Sequence, residues 1–346
     1  MAVAGAPAAA GSGAAVTGAG HAPNAGTALD DWPADCEERY VIRARGAARA
    51  DDTSKFHVAA NSEYAVAFIS KAPWGNKSVQ LLHARSLIDN PRIVHHWTLF
   101  AVDSSELGDG EIQGGPGQST PAKLPGEAYV VGGTIGSQVS IAMPDGVGLR
   151  VPSGPNVMLR LEVHYSNLGG EQAFDDATGA EVCVTTHKRE HEAAAHWLGT
   201  YLIDVPAHSR ADAVSECKPT QQTEPVHLVA IAPHMHKTGV NSRVVIHRKA
   251  GGTQPLLDVP YAFTEQRGYY LKENTALPPQ VIQPGDTLTS TCSYQNDTDR
   301  QLGFGETSND EMCFVVVWGW PAGQLSNGSL LGSLVGATPD LSCLVP

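Results

Sequence analysis

From about residue 30 onward, apolar positions come in short runs, many of them alternating with polar ones. That period-2 pattern, rich in β-branched and aromatic residues, predicts strands at Tyr64–Ser70, Arg92–Val102, Val157–Ser166, His227–Ala232, Asn241–Arg248, Thr287–Tyr294 and Cys313–Trp320. Turn formers separate them, as at Asp109-Gly110, Pro125-Gly126, Gly169-Gly170, Gly251-Gly252 and Pro284-Gly285-Asp286. The alternation is cleanest in Val157–Ser166. There Leu159, Leu161, Val163 and Tyr165 share the core face, and Arg160, Glu162 and His164 point the other way. One segment, His187–Trp197, reads as a helix from its helix formers and charges, and would serve as a connector. The pattern predicts an all-β chain of two sandwich-like domains divided near residue 190.

Composition sharpens this picture. The 36 Gly and 23 Pro among 346 residues favour turn-rich β structure over helical bundles. A net charge of −13 argues against nucleic acid as a partner. No run of apolar residues is long enough for a membrane span. Residues 1–29 are rich in Ala and Gly and hold no charged residue before Asp30, so too little surface can be buried to order them; they read as a disordered leader. Six cysteines, none in a C-x-x-C pair, leave two readings open: buried thiols, or three disulfides made in an oxidising compartment.

Candidate chemistry lies in the histidines. His234-Met235-His236 places two imidazoles on one side of a strand, and Pro233 and Gly239 mark a strand boundary where a metal could enter. His164 stands on the polar face of its strand beside Glu162. His95 and His96 are adjacent, so a regular strand would send one to the core and one outward; sharing an ion requires a bulge or strong twist. Met312 opens an apolar strand next to Asp310 and Glu311. A thioether is a soft ligand suited to Cu(I), whereas imidazole suits both copper oxidation states.

These words, in order, resemble the copper type II, ascorbate-dependent monooxygenases: VHHWTLF at 94–100, LEVHYSN at 161–167, PHMHKTG at 233–239, PGDTLTSTCSY at 284–294 and DEMC at 310–313. The resemblance runs from about Cys36 to the C-terminal end. It implies two jelly-roll-like β-sandwich domains, 30–190 and 191–346, with a cleft between them and one copper in each. His95, His96 and His164 would form an electron-donating site, and His234, His236 and Met312 an oxygen-binding site. Ascorbate would reduce both coppers, and O₂ would hydroxylate an activated C–H bond. The resemblance also implies the disulfides Cys36–Cys183, Cys217–Cys343 and Cys292–Cys313, and with them a secreted or periplasmic location.

Departures from the family bear on substrate. Where the peptide-amidating members carry a carboxylate-binding Arg, this chain has Ala232; where they carry Asn and Tyr after the Met, it has Phe314 and Val316. Together with Tyr261 and Phe263, these imply a small hydrophobic or aromatic substrate rather than a peptide. Trp97 replaces the family's usual Met after the histidine pair. Two other readings use the same residues. One is a non-catalytic copper-binding protein on the same scaffold. The other is a cupin-like iron or zinc enzyme built on the H-x-H, which leaves Met312 without a role.

Overall fold

The computed structural model describes residues 32–118, 127–134, 140–271, 280–305, 307–328 and 342–345, so the Ala/Gly-rich leader lies outside the described residues. The described chain is almost entirely strand, with one short 3-10 turn at Phe263–Glu265. All seven sequence-predicted strands are present, at or within a few residues of their expected bounds.

Three larger sheets build the described chain. A five-stranded antiparallel sheet runs in the order Ile112–Gly114, Glu63–Lys71, Val157–Ser166, Val94–Asp103, Ala128–Thr134. A four-stranded sheet runs Ser209–Cys217, Thr287–Asn296, Gly239–His247, Thr253–Pro260. Between them lies an eleven-stranded sheet whose main path is Glu38–Arg43, Gly179–Thr185, Gln80–Leu87, Val147–Arg150, His191–Thr200, Cys313–Trp320, Val226–His234, Tyr269–Tyr270.

The segment read as a helix is the pivot of this sheet. His191–Thr200 pairs in parallel with Val147–Arg150 at its start and antiparallel with Cys313–Trp320 over the rest. It is buried on both faces from Ala193 to Thr200. Such a strand does not alternate, and small alanines suit close packing on two sides, so its pattern imitated a helix. The neighbouring Cys313–Trp320 is also buried on both faces. Phe314, Val316 and Trp318 join the core shared with the five-stranded sheet, while Val315 and Val317 pack against the four-stranded sheet.

The polar face of Val157–Ser166 is buried as well, not solvated. Arg160 is fully buried and is ion-paired with Glu127 at 3.4 Å and Glu162 at 2.6 Å. Next to that face, Tyr129 sets its ring 5.3 Å from Trp197 and 5.7 Å from Trp318. The face carrying His96 and His164 is therefore turned toward the large sheet. Three disulfides clamp the described chain: Cys36–Cys183, Cys217–Cys343 and Cys292–Cys313.

Candidate metal centre

Adjacent histidines share a site because the strand is bulged there. Along Val94–Asp103, Trp97 is opposite Val163 and His96 opposite His164, but Tyr165 is opposite Val94. His95 is the extra residue, and the irregularity turns its side chain toward that of His96. The two Nδ1 atoms lie 3.0 Å apart, and the His164 ring centroid is 5.2 Å from that of His95 and 4.9 Å from that of His96. The ligand atoms of all three fall within 4.8 Å of one another. Trp97, on the opposite face, is fully buried in the sandwich core.

Glu63, on the neighbouring strand, orients His164 through a 3.3 Å contact to Nε2. Its other contact is the Ser308 hydroxyl, which donates to the same carboxylate. With Nε2 occupied, Nδ1 is the nitrogen His164 offers to the cluster. The contact to His164, followed by that hydroxyl, holds the Glu63 carboxyl down at about 2.

The second group straddles the end of Val226–His234. Pro233 is tolerated inside this strand because, among the described residues, the pairing with Tyr269–Tyr270 on its other edge ends at Ile231, while that with Cys313–Trp320 runs on to His234. The His234 and His236 rings lie 5.4 Å apart, and Met235 between them is buried against Tyr261 and the Cys292–Cys313 bridge. His234 Nδ1 lies 2.9 Å from Gln266 Oε1, and His236 Nδ1 lies 3.1 Å from the Asp310 carbonyl. Both partners can only accept, so each Nδ1 carries the proton and each Nε2 presents its lone pair. The turn after His236 is held by Glu311, fully buried, which accepts from the His236 N–H at 2.9 Å, the Thr238 N–H at 2.8 Å and the Thr238 hydroxyl at 2.7 Å. His234 pairs with Phe314, and continuing that register by two residues brings the half-buried Met312 level with His236. The Tyr294 hydroxyl donates to the Met312 carbonyl at 2.9 Å and anchors it there.

The two groups touch. His96 and His234 have ring centroids 5.7 Å apart, and His95 stacks on Phe263 at 3.8 Å. The resemblance implied a solvent-filled cleft between the sites; here five imidazoles form one contiguous cluster. Burial and crowding favour the neutral form of His95, His96 and His236. His95 is lowered to about 3, first by burial and then by His164 and His234. Burial also lowers His236 to about 3 and His96 well below its ordinary value. Neutral imidazoles are the form that binds metal.

The cluster fits a metal ion. Two nitrogens 3.0 Å apart, each about 2.0–2.1 Å from one ion, subtend roughly 95° at it. His95 Nε2 is buried without a hydrogen-bond partner, so hydrogen bonding alone does not satisfy this ring. An all-imidazole set beside an H-x-H and a thioether suits copper better than the oxygen-preferring cations. Sequence reasoning missed Glu63, Ser308, Gln266, Tyr261 as an anchor, and the holding role of Glu311. Only Glu311 had a local signal, as part of DEMC; the others reach the site from distant segments.

Fold and site together define a copper-binding β scaffold. Residues 194–329 match the copper type II ascorbate-dependent monooxygenase family in its C-terminal domain, so the resemblance read from the sequence stands. DBH-like monooxygenase protein 2 of Mus musculus is 28% identical over 257 residues, covering 69% of this chain and 40% of that protein. DBH-like monooxygenase protein 1 of Homo sapiens is 28% identical over 66% of this chain and 39% of its own length. Dopamine beta-hydroxylase of Bos taurus is 29% identical over 68% and 40%. The chain thus spans about two fifths of the length of these relatives.

Proposed function

We propose that the protein is a copper-dependent monooxygenase that hydroxylates an activated C–H bond of a small hydrophobic or aromatic molecule, with O₂ as oxidant and ascorbate as reductant. The observation that carries this reading is the abutment of a three-histidine cluster and a His-x-His pair backed by Met312. In this reading His95, His96 and His164 hold one copper in the N-terminal half, and His234, His236 and Met312 hold a second in the C-terminal half. Bound copper would supply the one-electron redox chemistry and the activation of O₂.

The chain's own residues do the rest. Glu63, Gln266 and the Asp310 carbonyl fix which nitrogen each ring presents. Burial favours the neutral form of His95, His96 and His236, so at these rings binding need not displace protons at neutral pH. Ala232 and Val316 pair across the strands beside the His234–Phe314 pair, and all of these but the half-buried Ala232 and His234 are buried. This apolar floor, with no cation at position 232, favours an apolar substrate over one bearing a carboxylate. Three disulfides support an exported, secreted or periplasmic location.

The test is a substrate screen of copper-loaded protein with ascorbate and O₂, read by mass gain of one oxygen. Aromatic amines or alkylbenzenes should gain oxygen, and C-terminal glycine-extended peptides should not. Two bound coppers with no oxygenated product and no O₂ consumption would favour the second reading, a non-catalytic copper protein on this scaffold. Two unlike sites argue for the enzyme, since carriage alone needs only one.

A further inference from the structure

Two short segments of the C-terminal half reach past their own histidine group to the other one. The first is 307–312. Its Asp310 carbonyl accepts from His236, its Glu311 side chain holds the turn after His236, and Met312 lies level with that ring. The same segment carries Ser308, only 2% exposed, whose hydroxyl donates to Glu63 on the strand beside His164. The second segment is the 3-10 turn Phe263–Glu265 with Gln266 after it. Gln266 Oε1 accepts from His234 Nδ1 at 2.9 Å, while the Phe263 ring stacks on His95 at 3.8 Å with 27° between the planes.

The Ser308 contact falls on the atom that matters. His164 Nε2 and the Ser308 hydroxyl meet the same glutamate oxygen, Glu63 Oε1. The last torsion of a glutamate is only weakly restrained, so a second donor on that oxygen decides where it stays. Segment 307–312 is firm enough to set it. The Thr307 hydroxyl and Arg300 engage the Asp310 carboxylate at 2.7 and 3.6 Å. The Glu311 N–H donates to the Gly303 carbonyl at 2.9 Å, and the Tyr294 hydroxyl to the Met312 carbonyl at 2.9 Å.

We propose that Ser308 and Phe263 are positioning residues for the three-histidine site, so that the segments building the His-x-His and Met312 group also complete the other group. Ser308 acts through Glu63 on the tautomer and direction of His164. Phe263 acts on His95 as a flat wall that fixes the plane of the ring. The inference rests on the copper reading for its purpose and on these contacts for its residues. A ring whose orientation and tautomer are fixed beforehand has less freedom to lose when it takes a metal. The consequence is asymmetric. Ser308 lies four residues from Met312, yet its truncation should weaken the first group and spare the second.

The test has a metal-free and a metal-bound readout. In metal-free protein, nitrogen-15 NMR of the imidazoles reports which nitrogen of His164 carries the proton. Wild type should show one tautomer, protonated at Nε2 toward Glu63. Ser308→Ala should show two tautomers averaging, and Ser308→Thr, which keeps the hydroxyl, should restore the single form. Copper affinity is then measured by chelator competition one site at a time: the three-histidine site in a His236→Ala background, the second site in a His96→Ala background. Ser308→Ala and Phe263→Leu should each weaken the three-histidine site at least about fivefold, approaching the roughly tenfold cost of losing a direct outer partner. Ser308→Thr and Phe263→Tyr should restore it, and Ser308→Ala should leave the second site within twofold of wild type. A single His164 tautomer in Ser308→Ala, or a three-histidine affinity within twofold of wild type, overturns the role of Ser308. So does equal weakening of both sites, which would mean only a loosened loop. Unchanged affinity in Phe263→Leu overturns the role of Phe263. If even the wild type binds no copper, the enzymatic reading falls, and the tautomer of His164 still decides whether Ser308 positions it.

Discussion

Glu311 offers the sharpest test of how the H-x-H turn is built. It is fully buried and accepts three hydrogen bonds, two from backbone amides and one from a hydroxyl, all within residues 236–238. Burial raises its carboxyl above the ordinary range, so part of the value of these bonds is spent against desolvation. Glu311→Ala leaves two amides and a hydroxyl without their acceptor, at about 1–3 kcal/mol each, but also removes a costly buried acid. A net loss of about 3–5 kcal/mol is expected. Glu311→Gln keeps one oxygen for Thr238 but faces the His236 N–H with a second donor, and should cost about 2–3 kcal/mol. Because the loss falls on the residues that fix His236, metal affinity at the H-x-H should drop with stability. The His95–His96–His164 site, supported by Glu63, should keep its copper. The assay is denaturant unfolding of metal-free protein together with copper stoichiometry by elemental analysis. If Glu311→Ala unfolds at the wild-type midpoint and retains both coppers, the carboxylate does not hold the turn and the reasoning is wrong.

Replacing Met312 with His or Ala should leave the fold intact and lower ascorbate-driven product formation at least about tenfold, equal to about 1.4 kcal/mol of barrier; near-normal turnover and copper content in Met312→Ala would reduce Met312 to packing. Thiol titration of denatured, unreduced protein should find essentially none, because all six cysteines are paired. The pH dependence follows from His95 and His236. Their folded values, lowered to about 3, lie below the unfolded value near 6.5, so the unfolded chain takes up more protons in between. Stability of metal-free protein should therefore be full above about pH 6.5 and fall as pH drops from there toward 3. A flat unfolding midpoint across that window would contradict the burial of neutral imidazoles.

Much of this molecule was legible in one dimension. Strands such as Val157–Ser166 and Cys313–Trp320 announce themselves by local composition, and a period of 2 is a property of neighbours along the chain. The histidine words, His234-Met235-His236 above all, are local too, since residues i and i+2 fall on one side of a strand whatever lies beyond it. What depends on distant chain was not legible. His191–Thr200 reads as a helix because the two layers that bury both its faces are contributed by residues far away in sequence. His95 and His96 converge only through a bulge set by register with a strand some seventy residues on. Arg160 and Glu162 stand on the polar face of their strand, and no local pattern announces that this face is buried or that their charges pair with each other and with Glu127. The contact of His96 with His234, the Ser308–Glu63–His164 chain and the grip of Glu311 on the H-x-H turn likewise join segments that meet only in three dimensions. Local pattern determines which residues can be strand and which can be ligand. The tertiary structure decides which of them meet, because burial and register are set by partners that no short stretch of sequence contains.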